Sequence, residues 1–323
     1  MAGRRECRGE GAIGESMETI KKEIMKFFVG KEEVADKVLI CLLAGGHILL
    51  EDVPGVGKTT MAKTLAAVLD CDFGRIQFTP DTLPSDIIGT DVYNLKTGEF
   101  ENYPGAVMHQ ILLADEINRT SPKTQASLLE AMGEGQVTVG GVQYPLPQPF
   151  LVIATQNPVE FSGTYPLPEA QLDRFMMCLS LGYPDRSEEL RMIRNKLQGK
   201  EAEPTKPVCS REELADKIAR AKEVHVSDAM LQYMQNIIEL TRQEKSFVLG
   251  ASPRALVHLV NAALARAFYV GRDFVKPDDV RAVAEDVLRH RLILTAEAGI
   301  RGADKEKLLQ ALIVKAKVPM EKA

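Results

Sequence analysis

The chain has 323 residues, of which 45% are apolar and 26% charged, with 40 basic against 45 acidic side chains and a net charge of −5. That length suits two domains, and the composition excludes disorder over most of the chain. The acidic balance argues against a dedicated nucleic-acid binder, although a local basic patch would survive it.

Five cysteines, Cys7, Cys41, Cys71, Cys178 and Cys209, form no C-x-x-C pair. An odd, scattered set suits a reducing cytosol, so a cytoplasmic location is expected. Arg4, Arg5 and Arg8 are followed by no apolar stretch, which is not the pattern of a signal peptide. The longest apolar run, Val38 to Ala44, is far too short to span a bilayer, so a membrane would be reached only through a partner. The histidines at 47, 109, 225, 258 and 290 are dispersed without metal-ligand spacing.

In chain order, residues 1–14 read as a loose, disordered leader. A helix follows from Ser16, with Ile20, Ile24 and Phe27 at three- and four-residue steps, and Gly30 breaks it. Lys31 to Leu43 reads as a second helix. Short apolar runs then alternate with helical segments: His47–Glu51, Arg75–Phe78, Gln110–Ala114, Phe150–Thr155 and Met176–Leu181. Continuous apolar runs of strand length suit a parallel sheet covered on both faces, hence an α/β domain over 15–200. Two hairpin-like inserts interrupt it, at 92–103 and 135–146, the second turning on Gly140-Gly141. Gly199 to Pro207 is polar, carries two prolines and reads as a linker. Beyond it, 208–317 reads as helical only. Ser210 with Glu213 forms a capping box, helices follow over Asp228–Gln243, from Pro253 to about Val270, and over Pro277–His290, and Asp304–Ala316 closes a small bundle.

Leu49-Leu50-Glu51 runs into Asp52-Val53-Pro54-Gly55-Val56-Gly57-Lys58-Thr59-Thr60, after which a helical pattern begins. Strand, glycine loop and helix start together make a phosphate cradle. Gly55 and Gly57 let backbone N–H groups turn inward, and the helix N-terminus adds positive potential. Lys58 is placed to reach the β- and γ-phosphates, and the Thr59 hydroxyl to bind Mg²⁺. Asp52 stands where the usual pattern has its first glycine.

Ile111 to Ala114 ends in Asp115-Glu116, at the strand end where doubly wound sheets place ligands. Asp115 is suited to help hold Mg²⁺, and Glu116 to polarise an attacking water as general base. The strand over Phe150–Thr155 leads to Asn157, which would orient that water or touch the γ-phosphate.

These motifs in this order resemble the AAA+ ATPases. The wording of Asp115-Glu116-Ile117-Asn118-Arg119, Ala154-Thr155-Gln156-Asn157-Pro158, Leu167 to Phe175 and Gly250 to Ala255 resembles the MoxR family, over about residues 15–317. The resemblance implies ATP and Mg²⁺ as ligands and a P-loop core of strand order 5-1-4-3-2 with a C-terminal helical lid. It identifies 92–103 with the helix-2 insert and 135–146 with the pre-sensor hairpin. It implies that Arg174 is an arginine finger, worth ~10³–10⁵ in rate, with Arg119 a second candidate, and that Arg254 is a sensor on the lid. Val29-Gly30 resembles the segment that packs on adenine, and Pro54, Val56 and Thr60 fall in the nucleotide loop. A homo-oligomer, a hexameric ring by family, is implied, with von Willebrand factor A domain proteins as partners. The alternatives are a nucleic-acid motor and a magnesium-chelatase-like subunit.

Overall fold

A computed structural model describes residues 10–28, 31–52, 55–157, 163–197 and 206–318. Two helices, α1 (Glu10–Met25) and α2 (Glu32–Leu43), precede β1 (Ile48–Glu51). There follow α3 (Lys58–Val68), β2 (Phe73–Gln77), the short α4 (Pro84–Ile88), β3 (Gly89–Asn94), β4 (Glu99–Pro104) and β5 (Ile111–Asp115). The core continues through α5 (Pro122–Glu134), β6 (Gln136–Val139), β7 (Val142–Pro145), β8 (Leu151–Gln156), the short α6 (Glu169–Leu172), β9 (Met177–Leu179) and α7 (Arg186–Leu197). Helix α1 begins inside the stretch read as a leader, so Glu10 to Gly14 are helical; the rest of that stretch, residues 1–9, lies outside the described residues. Its buried face uses Met17, Ile20 and Ile24, and just beyond its end Phe28 is buried in place of the expected Phe27.

Five strands form one parallel sheet in the order β2-β5-β8-β1-β9, which is the expected 5-1-4-3-2 arrangement. The central strands are buried on both faces, so alternate residues feed two separate cores. Leu50, Leu113 and Ile153 face a core shared with α1–α3, while Leu49, Leu112 and Val152 face one shared with α5. That double covering is why these strands read as unbroken apolar runs.

Both inserts are hairpins. Strands β6 and β7 pair antiparallel around Gly140 (φ 56°) and Gly141 (φ 84°). A two-residue loop with positive φ at both positions has the twist that strands need, which only glycine, asparagine or aspartate readily supply. Strands β3 and β4 extend the first insert to Gly89–Pro104, wider than 92–103. Its base is tight: a Cβ on Gly105 would meet the Ile87 carbonyl oxygen at 2.2 Å.

The C-terminal unit contains α8 (Arg211–Lys222), α9 (Asp228–Gln243), β10 (Phe247–Leu249), α10 (Pro253–Tyr269), α11 (Pro277–Leu288), β11 (Ile293–Leu294), α12 (Ala296–Ile300) and α13 (Lys305–Lys315). It is not purely helical: β10 and β11 form a two-stranded ribbon. Segments of three and two residues carry too little periodicity to read from sequence. The sequence reading does not mark helix α7, and the linker expected over 199–207 lies largely outside the described residues, which resume at Lys206. Helix α10 is the centre of the lid, packing on α8, α9 and α11 and against α2 of the core.

At the entry to β1, His47 knits three elements together. The Val152 N–H donates to its Nδ1 at 3.1 Å, so Nε2 carries the proton and donates to the Met132 carbonyl at 3.3 Å. Burial lowers its pKa to about 4. An unfolded imidazole titrates near 6.5. The unfolded chain therefore binds the extra proton first, so this contribution is complete above pH 6.5 and is lost as pH falls towards 4. By linkage the loss is about 2 kcal/mol at pH 5. Urea unfolding of the parent and of His47→Gln at pH 7.5 and pH 5 should show the parent losing about that much more stability; parallel profiles would remove His47 from the acid response.

Candidate active site

The carboxyl ends of β1, β5 and β8 converge, and the chain leaving each supplies one wall of a cleft of about 430 Å³. It is lined by Gly55, Gly57, Lys58, Thr59, Thr60, Arg75, Gln77, Asp115, Glu116 and Asn157. Loop, paired acids and strand-end asparagine, far apart in sequence, thus face one space.

The loop after β1 reaches α3 through Gly55 (φ 87°) and Gly57 (φ 94°), both left-handed. Gly57 is the N-cap of α3 and no side chain caps it. The first N–H groups of a helix have no intrahelical acceptor, so they remain available to an anion. Lys58 donates to the Asp52 carbonyl at 2.9 Å. Desolvation lowers its pKa, opposed by the charges of Asp52, Asp115 and Glu116. Val56 turns away from the cleft into the core. Pro54, together with Val29 and Gly30, lies outside the described residues.

Asp52, the departure from the usual loop pattern, is buried and satisfied. It accepts from the Ser180 hydroxyl at 2.7 Å and from the N–H groups of Leu181 at 2.6 Å and Gly182 at 2.9 Å. It therefore ties the loop entrance to the chain leaving β9.

Thr155 organises the acids. Its hydroxyl donates to Asp115 Oδ1 at 2.7 Å and accepts the Glu116 N–H at 2.8 Å. Glu116 takes a left-handed φ of 58°, an uncommon conformation for a side-chain-bearing residue, and caps the 3₁₀ turn Ile117–Arg119. Its carboxylate lies 3.1 Å from Arg119 Nη1, and Asp115 Oδ2 lies 2.8 Å from Arg75 Nη2. Below the turn, buried Gln125 donates to the carbonyls of Ile117 at 3.1 Å and Tyr165 at 2.9 Å, fixing the path away from the acids. Thr155, Arg75, Gln77 and Gln125 were not singled out from sequence. The first three sit on strands at or beside recognised motifs, which is the only signal they carry.

Like Val56, Arg174 and Arg254 do not line the cleft. Arg174 donates to the Leu129 carbonyl at 2.6 Å and lies over Gly133 on α5. Arg254, in the first turn of α10, stands 4.0 Å from Asp173. Asp173 is instead the junction between core and lid. Its carboxylate accepts from the Ser252 hydroxyl at 2.9 Å and from Arg291 Nε at 2.8 Å. Buried Arg291 also donates to the carbonyls of Phe175 at 2.6 Å and Met176 at 3.3 Å, and to His258 Nδ1 at 2.6 Å.

The described residues hold no cluster of three or more His, Cys, Asp or Glu side chains able to bind a metal. The cleft offers one strand-end carboxylate, a neighbouring threonine hydroxyl and a phosphate cradle. That donor set fits Mg²⁺, which keeps several waters and is bound through one or two carboxylates together with substrate phosphates.

A five-stranded parallel sheet with a glycine loop after the strand beside its edge, paired acids on the next strand but one and a lid made mostly of helices define an AAA-type ATPase architecture. Residues 47–177 match the family model "ATPase family associated with various cellular activities (AAA)", and residues 239–312 match the "AAA lid domain". The chain is 48% identical to the protein YeaC of Bacillus subtilis, covering 94% of each, and 43% identical to chaperone MoxR1 of Mycobacterium tuberculosis, covering 90% of this chain and 79% of that one. A solved structure from Cytophaga hutchinsonii, provisionally assigned as an ATPase, is 40% identical with a TM-score of 0.88, covering 96% of this chain and 97% of that one. The protein belongs to the MoxR family of AAA ATPases.

Thr155→Val keeps the shape of the side chain and removes the bridge, leaving the Glu116 N–H without its acceptor. Losing that acceptor should cost about 1–3 kcal/mol, read as a lower urea midpoint, whereas Thr155→Ser should retain most of the stability. Equal midpoints for Val and parent would show that the bridge contributes nothing.

Proposed function

We propose that the protein hydrolyses ATP to ADP and phosphate in this cleft with Mg²⁺, as a homo-oligomer, and couples the cycle to remodelling of partner proteins in the cytoplasm. The observation that carries the reading is the convergence of the glycine loop, Asp115-Glu116 and Asn157 on one space. The backbone over Pro54 to Gly57 and the N–H groups of Lys58, Thr59 and Thr60 would hold phosphate, with Lys58 adding its charge. Thr59 and Asp115 would hold Mg²⁺, which when bound neutralises phosphate charge. Glu116 takes a proton from the attacking water, its backbone fixed by Thr155, and Asn157 orients that water.

Arg174 does not line its own cleft and packs on α5 instead. That placement supports a role in a neighbouring subunit's cleft, with a hexameric ring as the assembly and Arg119, already beside Glu116, as the alternative arginine. Arg254 would act from the lid once released from Asp173. Val29 and Gly30 are assigned to adenine by resemblance. MoxR1 of Mycobacterium tuberculosis is named a chaperone, which supports a remodelling role here. Proteins carrying a von Willebrand factor A domain are the partner class we assign.

Glu116→Gln should keep nucleotide binding and lose turnover by ~10²–10⁴; phosphate release at the parent rate would remove Glu116 as the base. A pull-down with this variant held on ATP should retain a von Willebrand factor A domain protein, and its absence from an ATP-dependent bound fraction would count against that class. Arg174→Ala subunits should bind ATP without hydrolysing it, and mixing them with Lys58→Ala subunits should restore part of the activity. No rescue at any ratio, with mixed assembly confirmed by native mass spectrometry, would place Arg174 outside the reaction.

A further inference from the structure

One cation in the cleft has no part in the roles assigned above. Arg75 stands on the edge strand β2, and its Nη2 lies 2.8 Å from Asp115 Oδ2 and 3.4 Å from Gln77 Oε1. Strand geometry explains the reach. Gln77 pairs in register with Asp115, and Arg75, two residues earlier, projects on the same side of the sheet as Gln77. Both line the cleft with Lys58, Thr59 and Asp115.

The two oxygens of Asp115 are thus engaged differently. Oδ1 accepts from Thr155, a fully buried hydroxyl that also holds Glu116 in place. Oδ2 meets Arg75 in a half-exposed pair, with side chains 42% and 18% accessible. An ion pair that open to water is worth at most about 1 kcal/mol, while the buried bridge is costly to break. Oδ2 is therefore the oxygen that can change partner. A guanidinium and a divalent cation cannot share it without close like-charge contact.

We propose that Arg75 is a positioning residue that competes with Mg²⁺ for Asp115. The proposal rests on the assignment of Asp115 to the metal given above. With the cleft free of metal, Arg75 neutralises Asp115 and holds its carboxylate in place. Arrival of the metal with nucleotide displaces Arg75, and its return to Oδ2 favours departure of the metal with the product. Arg75 thereby weakens metal-dependent binding and speeds release. A residue with a purely structural part in the cleft would do the opposite when removed.

The test is binding of a fluorescent ADP, labelled with N-methylanthraniloyl, by the full chain in Mg²⁺ and in EDTA. The ratio of the two affinities measures the coupling to metal. Arg75→Gln, exposed on an edge strand, should raise that ratio about three- to fivefold at low salt and slow label release in Mg²⁺ by a similar factor. The difference should shrink in 0.5 M salt, because screening weakens the pair it removes. In an Asp115→Asn background Arg75→Gln should leave the ratio unchanged, as a double-mutant cycle requires if the two side chains act on each other. Tight labelled-nucleotide binding with a ratio equal to or below the parent's, or an effect that persists without the Asp115 charge, overturns the role of Arg75 alone. A parent protein that retains no nucleotide in either buffer removes the reading of the cleft itself, and the competition with it.

Discussion

The hydroxyl of Thr155 decides how the two acids at the end of β5 differ. It bonds to the side chain of Asp115, the last residue of the neighbouring strand, and to the main chain of Glu116, which follows it. Because β5 and β8 are parallel and paired up to Ala114↔Ala154, the next residue of β8 necessarily stands beside the acids. The bridge holds Asp115 as the last residue of the strand and lets the chain turn at Glu116 through a left-handed φ. That turn costs about 1 kcal/mol or more for a residue with a Cβ, and it persists because the surrounding bonds over-determine it. One acid remains in the sheet and the other is swung out of it, a separation that suits the different roles proposed for them.

The same logic explains the loop that faces them. A glycine at position 52 would contribute conformational freedom, yet among the described residues only Asp70 and Glu116 combine a side chain with positive φ, so the backbone at Asp52 requires no glycine. What the loop needs there is an anchor. Three donors from Ser180 to Gly182 satisfy both oxygens of the Asp52 carboxylate, so its burial carries little penalty and fixes the loop entrance to the chain leaving the neighbouring edge strand β9. The freedom is reserved for Gly55 and Gly57, where the chain must curl.

Much of this was legible in the residues. The five core strands, the Gly140-Gly141 hairpin and the capped helices α8 and α10 carry local signals: doubly covered apolar runs, a glycine pair, and Ser210 and Ser252 as caps that accept a backbone N–H; the strand order followed from resemblance. The gathering of the loop, Asp115, Glu116 and Asn157 at one cleft was legible for a different reason, since the phosphate chemistry proposed for it restricts their types and spacing. Thr155 and Arg75 were not. Each is an ordinary strand residue whose role depends on which strand lies beside it, and neighbour identity is a property of the sheet. The ribbon β10–β11 and the wider base of the first insert were hidden for the same reason. They rest on pairing between segments, and in the ribbon those segments are 44 residues apart from Leu249 to Ile293.

The junction at Asp173 shows how far such pairing reaches. The segment Asp173–Met176, which contains Arg174 and leads into β9, is bonded to the lid by Ser252, Arg291 and His290, and Arg291 is buried. Ser252 serves twice: it accepts the Ala255 N–H as the cap of α10 and donates its own proton to Asp173. A lid displacement that left Asp173 behind would strand a guanidinium in a site that already lowers its pKa by desolvation, a loss of several kcal/mol. The half-exposed contact between Arg254 and Asp173, at 4.0 Å, has no such cost. The segment bearing Arg174 is also bonded to the core, through the Met176 N–H to the His47 carbonyl at 2.8 Å and Arg174 to the Leu129 carbonyl. Rotation of the lid is therefore expected to pivot at the Arg291 junction and to spend its freedom at Arg254.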